Sequence, residues 1–212
     1  MFELHDFARS SAAYRVRIAL ALKGLDYTPV AIDLLKGEQH EADFRALNPQ
    51  GLVPVYSDGE VHLSQSLAIM EYLDERHPDP PLLPASPAPR AQARQIANLI
   101  CCDIHPLDGF RVLIYLRDTL GIDVQRRRLW FQHWLLEGLD ALELWLTADN
   151  ARRRFCVGDQ ISIADICLVP QLDVARRNNI DIDDFPRLAA VESACMTLPA
   201  FRDTHPDVLE PR

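Results

Sequence analysis

Hydrophobic and polar positions change their period several times over the first 80 residues of the chain and then settle into one. Phe2-Glu3-Leu4 alternates as a short strand does, and His5 to Ala8 reads as a loop. From Ala12 onward come good helix formers with apolar side chains at Val16, Ala19, Leu20 and Leu22, closed by Gly24, a residue suited to the left-handed position after a helix. The pattern predicts a short amphipathic helix with Ser10 and Ser11 at its mouth. Tyr27 to Ile32 alternates and is β-branched, predicting a second strand, and Glu38 to Leu47 is a weaker helical stretch ending before Asn48-Pro49. Val53 to Tyr56 and Glu60 to Leu63 flank Ser57-Asp58-Gly59, a turn joining two antiparallel strands. Ser64-Gln65-Ser66 then opens a helix running through Leu67, Ile69, Met70, Tyr72 and Leu73 to about His77. The expected order is β-α-β-α-β-β-α.

Beyond a proline cluster at 78–89 the period is helical throughout. One helix is predicted from about Pro89 to Leu120 with a bend at Pro106, and another from Val124 to Leu146 carrying Leu129, Trp130, His133, Trp134, Leu136 and Leu139. Ser162 and Asp165 have the spacing of a capping box and announce a further helix, a folding signal rather than a catalytic pair. The expected division is residues 1–80, a linker at 81–89, and an all-helical domain over 90–212. The runs Arg126-Arg127-Arg128 and Arg152-Arg153-Arg154 read as solvated faces.

Charge narrows the classes of partner. The formal net charge of −9 divides into −6 over residues 1–80, with 7 basic and 13 acidic side chains, and −3 over the rest, with 15 and 18. Neither part is a basic surface, which argues against a nucleic-acid partner. No apolar run approaches the roughly 18 residues needed to cross a bilayer, and the N-terminus lacks a signal peptide's regions, so a cytoplasmic protein away from the membrane is expected. The five cysteines form no C-x-x-C and no zinc spacing; reduced, mostly buried thiols and no metal are expected.

The element order is that of a thioredoxin-like domain, which gives the first helix mouth a chemical meaning. Such a mouth presents unpaired N–H groups and the positive end of the helix dipole, and thioredoxins place C-x-x-C there, where the dipole depresses a thiol's pKa. Here the place reads Ser10-Ser11-Ala12-Ala13. One of the serines can serve as the cap, but two hydroxyls exceed what capping requires. A site that stabilises a thiolate and holds no cysteine must receive its sulfur from a ligand, most simply glutathione. Pro54, inside a strand pattern, withholds a ladder donor and tolerates cis geometry, leaving the backbone of Val53 free to pair with an extended peptide; an edge-strand proline is the alternative. Gln65-Ser66, at a second helix N-terminus, suits the γ-glutamyl carboxylate; capping accounts for Ser66 but not for Gln65.

These residues also carry a resemblance. Ser10-Ser11-Ala12-Ala13-Tyr14-Arg15-Val16-Arg17-Ile18-Ala19-Leu20 is similar to the Ser-Ser-Cys-x-x-Arg-Val-Arg-Ile-Ala-Leu hallmark of zeta-class glutathione transferases, with Ala12 in place of the usual cysteine. Leu47-Asn48-Pro49, Val53-Pro54, Gln65-Ser66-Leu67-Ala68-Ile69, Gly158-Asp159 with Ala164-Asp165, and Leu198-Pro199-Ala200-Phe201 extend it over nearly the whole chain. The resemblance implies a glutathione transferase fold, α/β followed by all-α, and a homodimer. It implies Ser10 as the hydroxyl facing the glutathione sulfur, with Ser11 and Arg15 beside it as catalytic groups, and Gln39, Val53, Gln65 and Ser66 holding the tripeptide. The implied reaction is a glutathione-dependent cis–trans isomerisation of maleylacetoacetate to fumarylacetoacetate in tyrosine and phenylalanine breakdown, or of maleylpyruvate in gentisate degradation. Thiolate adds to the double bond, the resulting single bond rotates, and elimination returns the thiolate. Such a substrate is a small dicarboxylate, so an acidic protein must gather local cations to hold it. Arg9, Arg111 and Arg177 are the candidates, matching or lying near cleft positions of the family. His105, before a helix-interior proline, is either a cleft group touching cofactor and substrate or a packed core histidine. The competing functions are a general glutathione transferase or dehalogenase, and a non-catalytic binding or regulatory protein on the same fold.

Overall fold

The computed structural model of the chain describes residues 2–148 and 153–209; Arg152 of the second arginine run lies outside the described residues. The chain divides into two compact units, residues up to 83 together with those from 196 onward, and residues 84–195. In the first unit, β1 (Glu3–Asp6), α1 (Ser11–Lys23) and β2 (Thr28–Ala31) are followed by a 3₁₀ turn (Glu38–His40) and α2 (Ala42–Leu47). Then come β3 (Val55–Ser57), β4 (His62–Ser64) and α3 (Ser66–Arg76), giving the expected β-α-β-α-β-β-α order. The sheet runs β2-β1-β3-β4. β1 and β2 are parallel with Glu3 opposite Thr28, a pairing that needs a crossover and receives it from α1. β1 pairs antiparallel with β3, and β3 with β4 across the turn at 58–61. The first strand is longer than its alternation suggested. His5 and Asp6, expected in a loop, pair with Val30 and Ala31.

The second unit is helical: α4 (Pro87–Asn98), α5 (His105–Asp108), α6 (Phe110–Asp118), α7 (Val124–Ala148), α8 (Ile163–Arg177) and α9 (Pro186–Met196), the last residue of which counts with the first unit. The single bent helix expected over 89–120 is instead three helices. Pro106 has no N–H to offer the carbonyl of residue 102 and its ring collides with that carbonyl, and the backbone ahead of it widens into a π turn over Leu99–Ile104. Gly109 then ends α5, and a Cβ there would lie 2.9 Å from the carbonyl oxygen of His105. Gly138 of α7 lets Ile104 approach closely, since a Cβ would meet its side chain at 2.3 Å.

α8 is the buried axis of this unit, and its start is fixed by the expected capping box. Asp165 accepts from the N–H groups of Cys156 and Ser162 at 2.7 and 2.9 Å, and from the Ser162 hydroxyl at 3.1 Å. Burial pushes the Asp165 carboxyl up while these donors oppose the shift. None of the five cysteines is in a disulfide; Cys156, Cys167 and Cys195 are buried, whereas Cys102 is exposed and Cys101 partly so, its sulfur 3.6 Å from that of Cys167.

In the first unit α1 departs from the expected amphipathic helix, because every residue from Ala13 to Leu20 is buried, Arg15 and Arg17 included. The reason lies at the far end of the chain. α1 packs on α3 and also on α10 (Pro199–Arg202), which is followed by α11 (Pro206–Leu209). The Tyr14 hydroxyl donates to the carbonyl of Phe201 at 2.6 Å, and Arg17 Nε to that of Thr204 at 3.2 Å. At the other end of α1, the buried Lys23 ammonium donates to Asp74 and to the carbonyls of His77 and Pro80, each at 2.6 Å.

His5 on β1 is buried edge-on to Phe44, and burial lowers its pKa from the ordinary 6.5, with His62 adding in the same direction and Glu3 opposing. The unfolded chain therefore binds the proton more readily than the folded one, so stability is lost as pH falls below about 6.5. His5→Gln is expected to flatten the slope of unfolding free energy between pH 7 and 5, measured by urea titration against wild type. An unchanged slope would contradict the buried neutral ring.

Candidate functional site

The mouth of α1 lies just past the carboxyl end of β1, as the pattern implied. Ser10 is the N-cap, with φ −74° and ψ 119°, and its Oγ accepts from the N–H of Ala13 at 3.2 Å. Of the two serines it is therefore Ser10 that caps. Capping uses an acceptor lone pair, so the hydroxyl proton is still available to donate. Ser11 is the first helical residue and its side chain is buried, while Ala12 is half-buried. There is no acidic residue in the first turn of α1. The nearby Asp6 carboxylate is neutralised by Arg17, whose Nη1 lies 2.8 and 2.6 Å from its two oxygens and whose Nη2 donates to the carbonyl of Ala8 at 2.9 Å. Arg17, not singled out from the sequence, thus shapes the loop in front of the serines.

Arg15, one turn along α1, is fully buried and its Nη1 donates to Ser66 Oγ at 3.4 Å, which joins the first helix to the start of the third. Ser66 is the first helical residue of α3 and not its cap. The cap position is Gln65, with φ 71° and ψ 110°, a left-handed backbone that a non-glycine residue adopts at a cost of the order of 1–3 kcal/mol. Its side chain does not cap either; Nε2 donates to Gln50 Oε1 at 2.8 Å. The first N–H groups of α3 consequently have no side-chain cap and no acidic neighbour in their turn. Gln50 carried no signal in the sequence.

Gln39 sits in the 3₁₀ turn and is buried; its Nε2 lies 3.5 Å from the Leu34 carbonyl and 3.3 Å from His40 Nε2, whereas its Oε1 is buried with no hydrogen-bond partner among the described residues. Gly51, with φ 64°, packs against this turn, and a Cβ on it would lie 2.9 Å from the Gln39 carbonyl oxygen. Only glycine fits there. Asn48 closes the same loop by donating to the Leu52 carbonyl at 2.7 Å and accepting from the N–H of Gln50 at 3.1 Å. Val53 follows, outside the β3 ladder, and the Val53–Pro54 bond is cis. The structure therefore brings Gln39, Gln50, Val53 and Gln65 onto linked turns, and Arg15 onto Ser66.

The other candidates divide between the units. Arg9 belongs to the first, with Nη1 at 2.6 Å from Asp207. Arg111 is exposed on α6, and Arg177, the last residue of α8, has Nη2 2.9 Å from Asp173. His105 begins α5 with its side chain about one-third exposed, which removes the reading as a packed core histidine. Its Nδ1 lies 4.0 Å from Asp108, a buried carboxylate that also accepts from Gln171 Nε2 at 2.6 Å. Asp108 and Gln171 were not foreseen, although His-x-x-Asp is a helical i,i+3 spacing.

Residues 4–81 match the family model for the glutathione S-transferase N-terminal domain and residues 134–199 that for the C-terminal domain. The chain is 44% identical over 206 residues to a probable maleylacetoacetate isomerase of Vibrio cholerae, covering 96% of this chain and 95% of that one. A solved maleylpyruvate isomerase described as a bacterial zeta-class glutathione S-transferase superposes with a TM-score of 0.95 at 42% identity, over 99% of each chain. This chain belongs to the zeta class of the glutathione S-transferases. A maleylacetoacetate isomerase from Methylobacterium extorquens, solved with malonate and glutathione bound, matches with a TM-score of 0.94 at 40% identity over 97% of each chain. The likeness to both structures extends over the whole chain and not only over its first domain.

For this zeta-class transferase, Gly51→Ala tests the linked turns directly. The variant is expected to lose about 1–2 kcal/mol of stability from the left-handed backbone. It is also expected to weaken glutathione about tenfold, the scale of one misplaced hydrogen bond. Calorimetric titration of glutathione that gave wild-type affinity would separate Gly51 from the site.

Proposed function

We propose that the protein is a glutathione-dependent cis–trans isomerase of maleyl keto-acids, acting on maleylacetoacetate to give fumarylacetoacetate in tyrosine and phenylalanine breakdown. The observation that carries the reading is a helix mouth with a capping hydroxyl still able to donate and no thiol of its own. Glutathione is the cofactor. The residues fit it, since the buried Gln39 Oε1 is an acceptor in need of a donor and the N-terminus of α3 is open to a carboxylate. When bound, glutathione supplies the nucleophilic sulfur that this mouth lacks, and it is regenerated.

The protein's own groups then have distinct tasks. Ser10 donates its O–H toward a thiolate at the mouth, and the dipole of α1 favours the anion. A free thiol of pKa about 8.5 is only a few per cent ionised at neutral pH, so this stabilisation governs the reactive fraction. Arg15 holds Ser66, and Val53, Gln39, Gln65 and Ser66 hold the tripeptide. Ser11 supports Ser10 from inside the helix. Arg9, Arg111, Arg177 and His105 serve the substrate's carboxylates. Arg9 and Arg177 already engage carboxylates of the chain, at Asp207 and Asp173, the chemistry a dianionic substrate would present to them.

A second reading, maleylpyruvate as substrate, draws on the equally close likeness to a maleylpyruvate isomerase. The reading places the protein in the cytoplasm as a homodimer; among the described residues no helix is long and apolar enough to cross a membrane.

Purified protein is expected to isomerise maleylacetoacetate or maleylpyruvate only when glutathione is supplied, with total glutathione unchanged at the end. Full activity without any thiol would sink the reading, and net consumption of glutathione would favour a transferase. Ser10→Ala is expected to raise the pKa of the bound thiol and to lower kcat by the order of 10²-fold, the usual loss for one oriented donor. Thiolate absorbance followed against pH checks the first effect, and an unshifted titration would remove Ser10 from the role.

A further inference from the structure

The geometry points to Asp108, held by Gln171, as a positioning residue for His105. It fixes the ring with Nδ1 toward the carboxylate and Nε2 turned outward to a carboxylate of the bound substrate. The inference rests on the isomerase reading for the identity of that anion.

Three side chains form a string from the core of the second unit to its surface. Gln171 on α8 is fully buried, the Asp108 side chain is 2% exposed and that of His105 is 32% exposed. Gln171 Nε2 donates to Asp108 Oδ2 at 2.6 Å, and Asp108 Oδ1 faces His105 Nδ1 at 4.0 Å. A carboxylate kept from water is costly unless its oxygens are used. Asp108 meets that requirement with the Gln171 amide on Oδ2 and the His105 ring on the side of Oδ1.

The support for the string is rigid. α5 is bounded by the π turn ahead of Pro106 and by the close approach at Gly109, and the Trp130 indole on α7 donates to the Leu107 carbonyl at 2.8 Å. His105 and Asp108 therefore cannot part by rotation of their own helix. The 4.0 Å separation is longer than a hydrogen bond, and functional hydrogen bonds are commonly long without ligand and tighten on binding. A histidine whose inner nitrogen is held by a carboxylate has a fixed tautomer and orientation. The charged neighbours along the chain, Asp103 and Arg111, are solvent-exposed.

The test uses the full-length protein with glutathione, in wild type, Asp108→Asn, Asp108→Glu and Gln171→Met. Asp108→Asn is expected to raise KM for the maleyl keto-acid about tenfold with kcat changed less than about threefold, the scale of one charge-assisted contact. Asp108→Glu recovers part of the loss. The ring nitrogens of His105, observed by ¹⁵N NMR, are expected to shift between wild type and Asp108→Asn, and to move in wild type when glutathione and malonate, a non-reacting dicarboxylate, are added. Unchanged His105 ring shifts in Asp108→Asn overturn the inference, as does an unchanged KM in a protein whose wild type is active. A wild type that does not isomerise sinks the isomerase reading instead, and the ring shifts then decide the positioning role alone. Should Asp108→Asn not fold, Gln171→Met removes the donor behind Asp108 and is expected to give the same direction of ring shift; no shift there overturns the inference.

Discussion

The buried pair of Arg17 and Asp6 is the interaction on which the first unit's site depends. Its two side chains are 1% and 9% exposed, and the guanidinium also reaches the carbonyls of Ala8 and Thr204. One group thereby joins the end of the first strand, the loop before the helix mouth and the returning end of the chain. Removing either partner of such a pair leaves a buried charge uncompensated, at a cost of about 3–5 kcal/mol. The pair also has an electrostatic role. Asp6 stands close to a mouth read as an anion site, and without Arg17 its charge would oppose the thiolate that the helix dipole favours.

Backbone geometry builds much of the rest. Gly51 lets one turn lie against another, Gln65 accepts a left-handed backbone, and the cis bond at Val53–Pro54 follows directly. The same kind of device recurs in the second unit, where Pro106 and Gly109 confine a one-turn helix that carries His105 and Asp108. In both units the polar side chains stand on short segments shaped by a glycine or a proline. The chain's cations divide accordingly. Arg15, Arg17 and Lys23 are buried and serve the structure of the mouth and its helix, while Arg111 remains at the surface of an acidic protein.

Much of this was legible in the order of residues, because local signals sufficed. The period change at each strand and helix gave the element order, Gly24 the end of α1, Ser162 and Asp165 the capping box, and Ser10-Ser11 without a cysteine the need for an external thiol. Those features depend on neighbours within a few positions. The end of the first strand, by contrast, was misplaced because His5 and Asp6 are held by β2, some 25 residues away, and not by their own alternation.

What only the tertiary structure decided follows from contacts remote in sequence. α1 looked amphipathic and is buried all round from Ala13 to Leu20, because residues 199–204, nearly two hundred positions later, cover the side that would otherwise face water. The partnerships of Gln50 with Gln65, of Arg15 with Ser66 and of Gln171 with Asp108 span 15, 51 and 63 positions, and no periodicity records such pairs. The residues alone determined which chemistry the helix mouth could support, since that follows from the groups at one helix end. Which polar side chains stand around it was settled by packing, because burial obliges each of them to find a partner wherever the fold brings one within reach.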